Sequence, residues 1–116
     1  MSYDRLIKFS TKRPTFDELV QISTNFLGGI GTVETEENWI YLVLPGTPTH
    51  PLKGLPNAPE ILQHPDYFRK ERWIEIFYNS KGDADVLTRQ QDAFTTGLAN
   101  QLAEVIRLWW QGTLEA

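Results

Sequence analysis

The chain has 116 residues, 41% of them hydrophobic and 22% charged, the composition of a single globular domain over 1–116 rather than of a disordered tail. Eleven Lys and Arg stand against fifteen Asp and Glu, and the net charge of −4 argues against nonspecific binding to nucleic acid or to an anionic membrane. There is no cysteine, so disulfides, thiol catalysis and thiolate metal sites are excluded. The opening MSYDRLIKF is charged where a signal peptide needs an apolar core, so a cytoplasmic protein is expected.

In chain order, Tyr3–Phe9 reads as a strand, with Tyr3, Ile7 and Phe9 on one face. Thr15 then caps a helix, because Glu18 stands three residues on and completes a capping box. Phe16, Leu19, Val20, Ile22, Phe26 and Leu27 cover an arc of about 160°, enough for one buried face, and Gly28-Gly29 ends the helix. Two strands follow, Ile30–Thr35 and Trp39–Leu44, joined so closely that they must form an antiparallel hairpin. The second, WIYLVL, is apolar on both sides and is expected inside the sheet with layers above and below.

Six of the seven prolines fall between Pro45 and Pro65. Each removes a backbone donor and restricts its predecessor, which predicts a stiff crossover over 45–65, with one short helix at Ala58–Gln63. Strands resume at Arg72–Tyr78 and, after the turn Asn79–Asp83, at Ala84–Leu87.

The last quarter, Arg89–Gln111, carries the clearest periodicity. Thr88 and Gln91 fit a second capping box, and Gly112 stands where a left-handed cap would end the helix. Phe94, Leu98, Leu102, Val105 and Trp109 recur at steps of three and four and are expected to seat it on the sheet. A second stripe, Ala99, Ala103, Ile106 and Trp110, widens the apolar arc to about 220°, well beyond what one-sided packing needs. The expected fold class is α+β: an antiparallel sheet of four to five strands, in the order β-α-β-β-loop-β-β-α, packed against two helices.

Chemistry is sparse. His50 and His64 lie in the proline-rich loop with Asp66 and Tyr67 just beyond, a donor set suited to zinc or iron, but their spacing matches no metal motif and ordinary surface histidines are the simpler reading. Phe68–Trp73 mixes cations with aromatics, although its basic run is short and broken by Glu71. Asp83 and Asp85 beside Gly82 lack the ordered carboxylates of a calcium loop and read as a hairpin turn. Gly28-Gly29-Ile30-Gly31 follows a helix and precedes a strand, the reverse of a phosphate-cradling order. No serine has the context of a nucleophile, and Glu34, Glu36 and Glu37 cluster at a hairpin tip. No catalytic residue, metal or cofactor is assigned.

The element order, small size and acidic charge resemble those of the type III secretion chaperones, which are small acidic dimers with an α+β fold. The resemblance covers topology and charge but no motif, and it implies a protein that works by contact. The over-wide apolar arc and low charge of the C-terminal helix, with the lack of catalytic groups, give the expected function: a non-catalytic interaction module of adaptor, immunity or chaperone-like type, a homodimer joined through Ala99, Ala103, Ile106 and Trp110, the alternative cover for that stripe being the N-terminal helix of the same chain. The alternative is a small-ligand or metal site under the 45–65 loop, drawing on His50, His64, Asp66, Tyr67 and Trp73.

Overall fold

The computed structural model describes residues 3–29, 31–44, 72–89 and 93–115. The elements in order are β1 (Tyr3–Lys8), α1 (Phe16–Leu27), β2 (Thr32–Glu36), β3 (Trp39–Leu44), β4 (Arg72–Tyr78), β5 (Ala84–Thr88), α2 (Ala93–Trp109) and β6 (Thr113–Glu115). The α+β class is as expected, but the sheet is larger. All six strands join one antiparallel sheet in the order β2-β3-β4-β5-β1-β6. The 45–65 crossover, the Ala58–Gln63 helix, and His50, His64, Asp66 and Tyr67 lie outside the described residues.

Local chemistry accounts for most of the boundaries. At α1 the predicted capping box is formed: the Thr15 hydroxyl accepts from the Glu18 N–H at 3.1 Å, and Glu18 Oε1 accepts from the Thr15 N–H at 2.9 Å. Gly28, at φ 58°, closes the helix in the left-handed conformation. Glu37 and Asn38 alone turn the β2–β3 hairpin, with Glu37 at φ 51°. In the β4–β5 turn, Asn79 Oδ1 accepts from the N–H groups of Lys81 and Asp83 at 2.9 and 3.0 Å. Asp83 Oδ1 in turn accepts from the Phe9 N–H and Arg13 Nη1, both at 3.2 Å, which ties this turn to the end of β1. Asp83 therefore serves the hairpin, as the sequence suggested.

Thr88 is the last residue of β5, and its hydroxyl donates to the Trp73 carbonyl at 2.8 Å; its expected capping partner Gln91 lies outside the described residues. The close of the chain departs from expectation in two places. The left-handed residue closing α2 is Gln111 at φ 54°, not Gly112, and the Gly112 N–H returns to the Arg107 carbonyl at 2.8 Å. Gly112 is needed for a different reason. A Cβ there would stand 2.8 Å from Ile7 Cγ2 and 3.0 Å from the Lys8 carbonyl oxygen. This close approach lets the chain turn back beside β1 and add β6, a strand too short to leave a periodic signal.

Both helices lie on one side of the sheet. That side contributes Ile7, Ile40, Leu42, Ile74, Ile76 and Val86, all fully buried. From the helices, Leu19 and Leu27 of α1 and Leu102 and Ile106 of α2 complete the core. Ser23 is also buried, its hydroxyl satisfied by the Leu19 carbonyl at 2.7 Å. The interior strand β3 buries Ile40, Leu42 and Leu44 under the helices and leaves Trp39, Tyr41 and Val43 half-buried on the far side.

Candidate functional site

The apolar arc of α2 is wider than its seat requires, but the seat is not the one expected: of the first stripe Leu102 is buried and Leu98 packs against the core, while Phe94, Val105 and Trp109 face outward. Ala99, Ala103 and Ile106 are fully buried and Trp110 is 7% exposed, so these four are core residues and not a contact surface for another subunit. Trp110 packs edge-on against Phe9, with ring centroids 6.3 Å apart. The side facing outward instead carries Phe94 (42% exposed), Val105 (37%), Leu108 (64%) and Trp109 (70%). The helix axis is rotated from the expected setting because β1 and β6 extend the sheet beneath Ala103 and Trp110, giving the second stripe a floor within the chain.

Beside this exposed arc runs a groove of about 510 Å³ between α1 and α2. Its apolar walls are Ile22 and Phe26 of α1 with Val105, Trp109 and Trp110 of the C-terminal region, and Glu18, Gln21 and Asn25 form its polar rim. Trp109 leans edge-on toward Trp110 at 6.4 Å between centroids. The only charged side chains of α2, Glu104 and Arg107, pair with each other at 2.7 Å. The surface is thus apolar and wide, neutral along α2 and with Glu18 on its rim. Ordered catalytic groups are not among its lining residues.

The opposite side of the sheet is free of helices among the described residues. Trp39 stacks on Tyr41, with centroids 6.1 Å apart and planes 9° from parallel, and Phe77 lies 4.7 Å from Trp39. A smaller cleft of about 380 Å³ opens here, lined by Glu34, Tyr41, Val43, Trp73, Glu75 and Arg89. Of the small-ligand set expected from the sequence, Trp73 is therefore placed in a cleft. Glu75, only 6% exposed, accepts from Arg89 Nε at 3.2 Å.

Further along the same face, Asp85 on β5 lies near Asp4 on β1. Burial, and then the hydrogen bond and charge of the Asp4 carboxyl, push Asp85 up to about 7. Its Oδ1 is buried without a hydrogen-bond partner. Sequence spacing does not reveal this pair, because the two aspartates meet only through the β1–β5 pairing.

Among the described residues no three His, Cys, Asp or Glu side chains cluster as metal ligands, and no helix is long and apolar enough to cross a membrane. The chain matches no protein-family model, no curated protein and no solved structure.

Proposed function

We propose that the protein is a non-catalytic interaction module and that it self-associates through the outward face of α2. The observation that supports this reading is the exposure of Leu108 and Trp109, 64% and 70%, next to an apolar groove. Isolated exposed apolar residues are ordinary; a contiguous patch centred on a tryptophan is what contact surfaces have.

Two features favour a second copy as the occupant. Leu98, Gln101, Val105 and Leu108 follow one another at steps of three, four and three, the spacing of a seam that receives another helix. Glu104 and Arg107 neutralise each other beside that seam, so setting the face against itself brings no like charges together, although the chain as a whole carries −4. A two-fold contact of this kind buries the same patch on both copies.

Light scattering on the wild type and on a Leu108→Glu, Trp109→Ser variant tests the reading. The wild type should have twice the chain mass and the variant the single-chain mass, with unchanged circular dichroism because both side chains are exposed. A wild type that stays monomeric at high concentration overturns self-association.

A further inference from the structure

The side of the sheet that carries no helix among the described residues has a chemistry of its own. In an antiparallel sheet with one covered face, the other usually carries polar residues. Here strand pairing places Glu34, Tyr41, Glu75 and Leu87 in one cross-strand row, Trp39 and Phe77 in the row on one side, and Val43 and Trp73 in the row on the other. Four aromatic rings are thus set among carboxylates on a surface only half buried.

Glu75 sits at the centre of this arrangement. A carboxylate that is 6% exposed, walled by Tyr41 and Trp73, is costly unless a cation stands at its mouth. Arg89 supplies one: its Nε donates to Glu75 Oε2 at 3.2 Å, while 72% of its side chain remains exposed. Being so exposed, Arg89 is held weakly and is open to exchange. Glu34 lines the same cleft, and Glu36 follows on the edge strand β2. The Tyr41 hydroxyl records the local field: desolvation and the carboxylates of Glu36 and Glu75 push it up, while Arg89 acts in the opposite sense.

We propose that this cleft binds an arginine-bearing segment of a partner protein, whose guanidinium enters between Tyr41 and Trp73, bonds to Glu75 and Glu34, and displaces Arg89. Glu34 and Glu75 offer the incoming guanidinium two carboxylates, whereas Arg89 bonds to Glu75. A planar guanidinium also suits the site better than an ammonium, because it stacks on rings and bonds carboxylates through a fork. An extended segment fits better than a free amino acid, since the Trp39–Tyr41–Phe77 ledge continues the apolar surface and Glu36 lies alongside it. The site lies across the sheet from the α2 surface and does not depend on self-association there.

Calorimetric titration with a hexa-arginine peptide, hexaglutamate and free arginine tests the proposal. Hexa-arginine should bind, with affinity falling about tenfold between ~20 mM and ~300 mM salt, and hexaglutamate should not. Glu34→Gln, an exposed change that leaves the core intact, should weaken binding several-fold. Arg89→Ala should strengthen it several-fold by removing the internal competitor. The Leu108→Glu, Trp109→Ser variant should bind as the wild type does. The proposal falls if hexa-arginine fails to bind, if Arg89→Ala weakens binding or Glu34→Gln leaves it unchanged, or if the α2 variant abolishes it. Free arginine binding as tightly as the peptide also overturns it, in favour of a small-cation pocket.

Discussion

Trp109 and Trp110 are neighbours in sequence with opposite surroundings, 70% and 7% exposed, because one helical step turns the side chain by about 100°. Substitutions should separate them cleanly. Trp110→Ser should cost about 3 kcal/mol or more in urea denaturation, and Ala103→Glu, which places a carboxylate at a fully buried position, should cost as much again. Trp109→Ser should stay within about 0.5 kcal/mol of the wild type under conditions that keep the chain monomeric. Asp85 provides a pH-dependent counterpart. Its carboxyl rises from 3.8 to about 7 on folding, so between those values the folded chain holds the proton that the unfolded chain releases. That contribution is complete below the unfolded pKa and is lost as pH rises through about 7. Asp85→Asn should therefore narrow the difference in Tm between about pH 5 and about pH 8, with the larger gain on the alkaline side. An unchanged pH profile would show that Asp85 does not share a proton with Asp4.

At the scale of elements, the two helices are ended by different devices. For α1 both caps are local: Thr15→Ala should cost about 1 kcal/mol, because the Glu18 N–H loses its acceptor. For α2 the closing turn is divided between two residues. Gln111 carries the left-handed backbone at φ 54°, where a side chain is a burden, so Gln111→Gly should stabilise by about 0.5–1 kcal/mol. Gly112 carries the close approach to β1, and Gly112→Ala should destabilise by about 1–3 kcal/mol and loosen β6. Thermal denaturation of the two variants should thus move in opposite directions, and a gain in both would show that the Ile7 contact yields readily.

The described residues form two layers, a helix pair on a six-stranded sheet, and each layer has an outer surface of distinct character. The helix layer presents an apolar, neutral face on α2; the sheet presents aromatics among acids. If the first face joins two copies, folding and association are linked, and Tm should rise with protein concentration in the wild type but not in Leu108→Glu, Trp109→Ser. A concentration-independent Tm in both would leave the α2 face without a second copy. The two surfaces lie on opposite sides, so variants on one should leave the behaviour of the other unchanged.

Much of the architecture is legible in the sequence because it rests on short-range rules. The Thr15–Glu18 capping box, the antiparallel pairing of β2 with β3, the limits of β3 and β4, and the width of the apolar arc on α2 all follow from neighbours within a few positions. The rotation of α2 does not. Its apolar arc spans about 220°, and periodicity alone gives two stripes within it without saying which one meets the sheet. That choice was made by β1 lying between β5 and β6, a pairing of Ile7 with Ala84 on one side and Leu114 on the other that joins the two ends of the chain. The same long-range pairing brought Asp4 near Asp85, and the β3–β4–β5 pairing set Tyr41 beside Glu75 and carried Arg89 to it. Local sequence fixes what each element is; only the order of strands fixes which faces remain uncovered, because coverage depends on partners distant in the chain.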